Sequence, residues 1–236
     1  MDINCDLGEG LENDAQIMPY ISSCNIACGA HAGDKKLMKT TVLLAKKYKV
    51  KIGAHPSFAD RENFGRKEMH VPKDLLMKQI VDQIELLKNI AEKEGEVLHH
   101  VKPHGALYNM AAKDKDVADV IIEAVQSFDT GLILYVPFRS VIAKELQNRK
   151  LPFYYESFAD RMYLDDLSLM SRKETGSVIE NPQRVIKRVK QLIDLGTVKT
   201  FKGNNIKIKT DTVCVHGDHP NAVQIVKSLS TLIKIK

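Results

Sequence analysis

Four of the chain's eight histidines, His31, His55, His104 and His216, stand among glycine, proline and aspartate just where short apolar runs end. Asp6 and Glu9 follow the first such run, Lys102 precedes Pro103-His104, and Glu156 and Asp160 close another. Imidazoles and carboxylates gathered in one pocket suit general acid–base chemistry near neutral pH. They also suit a divalent metal with open coordination positions. Lys102 is placed to stabilise an oxyanion or bind a carboxylate. Asp6, His31, His55, Lys102, His104 and His216 form the candidate catalytic set. Asn4, Glu9, Arg66, Glu156, Asp160, Arg161, Arg172 and Asp218 are candidates for substrate contact, the arginines through bidentate bonds to carboxylate or phosphate. Asp6, His31, His104 and His216 are candidate metal ligands, although no HExxH or comparable short motif occurs. Plainer readings stand beside these. Asp34 and Asp218 fit helix capping, Asp6 fits a turn, and Arg66 and Arg172 fit a solvated surface. His70, His99 and His100 fit structural hydrogen bonding. The weight lies in recurrence, since four histidines hold the same place relative to four runs.

Elements must exist to position them. Runs rich in Val, Ile, Leu and Cys predict strands at 2–6, 23–28, 50–54, 97–102, 132–136, 152–156 and 212–216. Helical patterns fill the gaps at 35–48, 74–94, 116–128, 139–149, 181–195 and 220–235. The second of these has Leu76, Ile80, Ile84, Leu87 and Ala91 on one face. In the fifth, Asn181 caps, Pro182 fits the first turn and Gly196 terminates. Segments 58–72 and 158–178 are long polar loops, and 197–210 reads as a small hairpin around Gly203-Asn204-Asn205. Strand followed by helix, about seven times, is the mark of a parallel sheet with helical crossovers. No dinucleotide fingerprint follows the first strand, because Asp6-Leu7-Gly8-Glu9-Gly10 has the wrong glycine spacing and an acidic residue. The expectation is a seven-stranded, TIM-like α/β barrel filling 1–236 as one domain. In such folds all C-terminal strand ends meet at one face, where ligands bind.

Composition narrows the class. Hydrophobic residues are 44% and charged residues 28%, with a net charge of +5, the balance of a globular protein. The excess lysines are scattered among Glu and Asp rather than forming the basic stripe of a nucleic-acid binder. Cys5, Cys24, Cys28 and Cys214 lie in apolar runs without a second pair to complete a zinc framework, and read as reduced core thiols. No signal peptide and no apolar run near about 20 residues is seen, so a cytoplasmic protein without nucleic-acid or membrane partners is expected. No nucleophile elbow or Walker A loop appears.

Seven segments resemble the LamB/YcsF family, in order and across nearly the whole chain. They are Asn4-Cys5-Asp6-Leu7-Gly8-Glu9, Asn25-Ile26-Ala27-Cys28-Gly29-Ala30-His31-Ala32-Gly33-Asp34 and Gly53-Ala54-His55-Pro56-Ser57. They continue with Phe64-Gly65-Arg66, Val101-Lys102-Pro103-His104-Gly105-Ala106-Leu107-Tyr108-Asn109, Glu156-Ser157-Phe158-Ala159-Asp160-Arg161 and Cys214-Val215-His216-Gly217-Asp218. The family is identified with the A subunit of the prokaryotic 5-oxoprolinase. The resemblance implies a barrel of the glycoside hydrolase/deacetylase type. It also implies ATP-dependent opening of 5-oxoproline to glutamate, together with partner subunits B and C. Within that chemistry Asp6 or His104 is the expected base, and His31, His55 and His216 position water or the tetrahedral species. Lys102 would stabilise negative charge, and Arg161 would hold the substrate carboxylate. The sequence departs from the family pattern in three places. Leu11-Glu12-Asn13 replaces an aromatic, Gly29-Ala30-His31 replaces Gly-Phe-His, and Lys67 replaces an arginine, which removes bulk near the mouth. Two other readings compete: a stand-alone metal-dependent deacetylase or amidase, and a non-catalytic component that binds a small acid.

Overall fold

A computed structural model describes residues 1–128 and 131–233. Nine strands occur in it: β1 Asp2–Leu7, β2 Ser23–Ala27, β3 Lys51–His55, β4 Leu98–Val101, β5 Ile133–Pro137, β6 Phe153–Phe158, β7 Thr197–Lys199, β8 Asn205–Lys207 and β9 Thr212–His216. The helices are α1 Asp14–Ile17, α2 Lys35–Tyr48, α3 Lys73–Lys93, α4 Gly105–Ala111, α5 Lys115–Gln126, α6 Val141–Arg149, α7 Pro182–Leu195 and α8 Ala222–Ile233, with a 3-10 turn at Met18–Tyr20. Strands β1–β6 and β9 close into a barrel in the order β1-β2-β3-β4-β5-β6-β9, and every pair in it is parallel. The expected seven-stranded barrel is therefore the fold. The expected hairpin is the antiparallel β7–β8 pair.

The helices follow the local signals. Leu76, Ile80, Ile84, Leu87 and Ala91 of α3 are buried as one face against the barrel, and Gln83 joins them. Asn181 caps α7 by accepting from the Gln183 and Arg184 amides, and Gly196 ends it in the left-handed region. Asp34 caps α2 through the Leu37 amide. Asp218 instead bonds to an arginine, so its capping reading is replaced by an ion pair. Two short helices, α1 and α4, have no signature in the sequence, because four and seven residues are too few to display a helical period. The expected end of the last helix at residue 235 lies outside the described residues.

Strand residues alternate between two surroundings. Ile3, Cys5 and Leu7 belong to the apolar layer between barrel and helices. Their neighbours Asn4 and Asp6 join Asn25, His100, Lys102 and Glu156 inside the barrel. A barrel interior is ordinarily filled by branched aliphatics, and here it is a hydrogen-bonded polar network. Packing within it is tight. A Cβ on Gly53 would meet the His100 ring at 2.1 Å, so β3 has room for His100 only because position 53 has no side chain. Gly53→Ala should destabilise the protein by more than about 2 kcal/mol through overpacking, measured by urea unfolding. An unchanged unfolding midpoint would contradict this packing.

Candidate active site

Six strand ends and the loops after them, those of β1–β4, β6 and β9, supply the site. At its base lies Lys102, just beyond β4 and fully buried. Its Nζ stands 2.8 Å from Asp6 Oδ1, 3.0 Å from Glu156 Oε1 and 3.0 Å from Cys214 Sγ. Burial alone would lower the lysine pKa, but Asp6, Cys214 and Glu156 hold it well above its ordinary value. Burial alone would raise Asp6, yet Lys102 and His55 hold its carboxyl well below the usual range. Both are charged, and the Asn25 amide donates to Asp6 Oδ1 at 2.7 Å. Asn25 also donates to Asn4 Oδ1 and accepts from His100 Nε2, which fixes the whole interior layer.

Above this base sit three imidazoles. The rings of His31 and His104 stack at 3.8 Å, and His55 meets both edge-on. Each ring has one nitrogen facing an acceptor that has no hydrogen to give. His55 Nδ1 donates to the Lys102 carbonyl oxygen at 2.6 Å, and His104 Nε2 donates to the Phe64 carbonyl oxygen at 2.9 Å. His31 Nδ1 lies 3.0 Å from Ser57 Oγ, whose own hydrogen goes to the Phe58 carbonyl, so Ser57 accepts. The remaining nitrogens turn toward Glu9. His31 Nε2 is 3.5 Å and His104 Nδ1 3.8 Å from Glu9 Oε1, and His55 Nε2 is 2.9 Å from His104 Nδ1. His31 Nε2 and Glu9 Oε1 are both buried without a hydrogen-bond partner. Burial and then the neighbouring His55 push His31 down to about 2, and burial with its two neighbouring rings drives His104 well down. Burial, then Asp6 and Asp218, raises Glu9 well above the usual carboxylate range.

The frame around these rings is built from loops that the sequence marks only weakly. Gln83 of α3 clamps Ser57, accepting from its amide and donating to its carbonyl, each at 2.9 Å. Phe64 takes the left-handed conformation at φ 55°, which aims its carbonyl at His104. Gly65 follows at φ 63°, where a Cβ would press on His104, His31 and Ser57 at 3.1–3.2 Å. Arg61 Nη1 donates to the Gly29 and Gly33 carbonyls and ties this loop to the one carrying His31.

A second group lies on the β6 and β9 side. His216 Nδ1 lies 2.9 and 3.0 Å from the two Asp160 oxygens, and the His216 amide also donates to Asp160. The ring stacks on Phe158. Burial would raise Asp160, but the neighbouring His216 ring and the hydrogen bonds from its ring and amide bring it down to about 2. At the rim, Arg66 and Arg172 approach Asp218 Oδ2 at 2.6 and 3.6 Å. The sequence-derived set is thus sorted by depth. Asn4 and Glu156 are interior groups, and Arg161 donates to the Ser177 and Met170 carbonyls of its own loop. His100 is an interior residue stacked on Tyr135 at 4.0 Å, and His70 is exposed. The four metal candidates do not form one group. His31 and His104 stand with Glu9 and His55, whereas Asp6 and His216 stand with Cys214. Asn25, Ser57 and Phe64 lie in the family-like segments but take no site role from sequence, and Gln83 lies outside every one of those segments. Among the described residues all four cysteines are free and buried.

The LamB/YcsF family model matches residues 1–236. The chain belongs to the LamB/YcsF family. Its relatives include a protein of Erwinia tasmaniensis named as the A subunit of 5-oxoprolinase, 44% identical over 97% of this chain and 94% of the relative. A protein of Histophilus somni with the same name is 43% identical over 100% of this chain and 96% of its own length. The crystal structure of the lactam utilization protein from Thermus thermophilus superimposes with a TM-score of 0.92 at 35% identity, covering 100% of this chain and 98% of that one. In this LamB/YcsF chain the polar mouth is built on one barrel end from residues between Asp6 and Asp218.

Asp160 yields a prediction with a definite sign. Its folded pKa is depressed from an ordinary value near about 3.9 to about 2. Its contribution is therefore fully present above pH 4 and is lost as pH falls through 2. Chemical unfolding between pH 5 and pH 2 should show the wild type losing about 2 kcal/mol more than Asp160→Asn. Parallel curves would remove the His216–Asp160 pair as the cause.

Proposed function

We propose that this chain is the A subunit of an ATP-dependent 5-oxoprolinase, working in the cytoplasm with partner subunits B and C to convert 5-oxoproline to glutamate. The whole-length relationship to proteins that bear the 5-oxoprolinase name carries this reading. The polar barrel mouth supports it, because opening a lactam needs a base, an acid and a place for charge. The chain has no P-loop motif, so ATP binding is assigned to the partners or to a site shared with them.

The amide bond of the five-membered ring is stabilised by resonance. Transfer of the ATP γ-phosphoryl group to the carbonyl oxygen, with ADP leaving, makes the ring carbon electrophilic. One water then adds to that carbon, the C–N bond breaks, and the nitrogen takes up a proton to become the amino group of glutamate. A second water displaces phosphate from the resulting acyl phosphate. His216 is the best-placed residue to move these protons. Asp160 fixes its Nδ1 hydrogen, which leaves Nε2 as a lone pair to accept a proton from water and return it to the leaving nitrogen. This differs from the expectation of Asp6 or His104 as base. Asp6 is held by Lys102 and Asn25, and His104 donates one nitrogen to Phe64 and faces His55 with the other. Lys102 acts as a positioning residue that keeps Asp6 charged and holds Asp6 and Glu156 in place. Arg66 and Arg172, both partly exposed beside Asp218, are the cations open to the substrate carboxylate. A groove of about 340 Å³ lined by Leu11, Asn13, Gln16, Gly217 and Asp218 lies next to them.

The test is glutamate release from 5-oxoproline by the chain reconstituted with subunits B and C. Release should require ATP and all three proteins. His216→Ala should lower kcat by about 10²–10⁴-fold with KM changed only a few-fold and circular dichroism unchanged. Release by this chain alone without ATP would favour the stand-alone amidase, and full activity of His216→Ala would remove the proposed base.

A further inference from the structure

We propose that Glu9, His31, His55 and His104 form a binding site for one divalent transition-metal ion, with His31 Nε2, His55 Nε2, His104 Nδ1 and Glu9 Oε1 as its ligands. One donor atom from each of these residues lies within 4.8 Å of every other. That spread fits a cation about 2.0–2.2 Å from nitrogen and oxygen ligands.

The stronger ground is the direction of the lone pairs. Ser57 Oγ, the Lys102 carbonyl and the Phe64 carbonyl each take the ring hydrogen from the far nitrogen of a different histidine. Ser57 is fixed in that duty, because it donates to the Phe58 carbonyl and Gln83 clamps its backbone on both sides. Each ring therefore presents a bare lone pair inward. Those of His55 and His104 face each other at 2.9 Å, a repulsive contact unless something positive lies between them. The His31 lone pair and Glu9 Oε1 have no hydrogen-bond partner although both are buried. Metal-bound histidines commonly have the opposite ring nitrogen tied to a carbonyl, carboxylate or similar acceptor, which orients the ring and sets its tautomer. All three rings have that support here. Three imidazoles and one carboxylate select zinc, iron, cobalt or nickel rather than magnesium or calcium, which prefer oxygen ligands.

The second cluster, Asp6, Cys214 and His216, adjoins this site, with Asp6 Oδ2 3.4 Å from His55 Nε2. In that cluster Asp6 Oδ1 and Cys214 Sγ lie against the Lys102 ammonium, and His216 Nδ1 is held by Asp160, so positive charge is already present. Metal binding at the three histidines does not depend on which substrate the mouth takes. A proton shared by His55 and His104 is the alternative occupant of the gap.

The test uses the full chain, stripped with a chelator and titrated with Zn²⁺ by calorimetry and with Co²⁺ by visible absorption. One ion should bind per chain, with cobalt d–d bands. His104→Ala should weaken Zn²⁺ binding at least 100-fold. The isosteric Glu9→Gln should weaken it at least 10-fold, and Ser57→Ala about 10–100-fold through the lost ring support. Exposed His70→Ala should leave binding unchanged. Glu9→Gln and Ser57→Ala keep the test open if His104→Ala does not fold, and glutamate release need not be measured. Absence of stoichiometric binding, or equal affinity in wild type, Glu9→Gln and Ser57→Ala, would overturn the site and leave the shared proton as the occupant.

Discussion

An imidazole has two nitrogens, and when one must donate to a fixed acceptor the other is left to face whatever lies opposite. In this barrel that constraint operates three times at one point. The Lys102 carbonyl, the Phe64 carbonyl and Ser57 Oγ hold the outer nitrogens of His55, His104 and His31. None of these acceptors has a hydrogen of its own to offer. The inner nitrogens consequently meet around Glu9, above the Asp6–Lys102 pair. Much of the loop structure serves this arrangement, including the left-handed Phe64, the glycine beside it, the Gln83 clamp and the Arg61 tie.

The barrel interior below supplies the other half of the design. A lysine ammonium enclosed with two carboxylates is costly to desolvate and is sustained only by close partners. Lys102 has Asp6 and Glu156 for that purpose, and Asn25 completes the hydrogen bonding of Asp6. Taking out Lys102 would leave the Asp6 carboxylate buried without its ammonium partner. The same rigidity lets Asp6 and His55 stand 3.4 Å apart in a fixed relation. The His216–Asp160 pair lies on the β6 and β9 side, and Arg66 and Arg172 meet Asp218 two residues beyond His216.

The strand and helix alternation was legible because its periods differ. The apolar face of α3 was readable residue by residue, and so were the Asn181 cap and the Gly196 stop. The meeting of His31, His55 and His104 followed from their shared place after parallel strands. Three things were not legible, each for a physical reason. Backbone acceptors such as the Phe64 carbonyl leave no mark in the residue alphabet. Ser57 and Gln83 are ordinary polar residues whose role arises only when α3 packs beneath the loop. The division of Asp6 and His216 from the other metal candidates depends on Lys102 and Asp160 lying next to them, which spacing along the chain does not encode.

The most direct measurement of the central arrangement is long-range proton–nitrogen NMR of the chain labelled at its histidine ring nitrogens, which reports the atom that carries each proton. Protons are expected on His31 Nδ1, His55 Nδ1 and His104 Nε2 wherever the protein is folded. A His31 ring carrying its single proton on Nε2, or a His104 ring carrying it on Nδ1, would contradict the inward convergence of lone pairs.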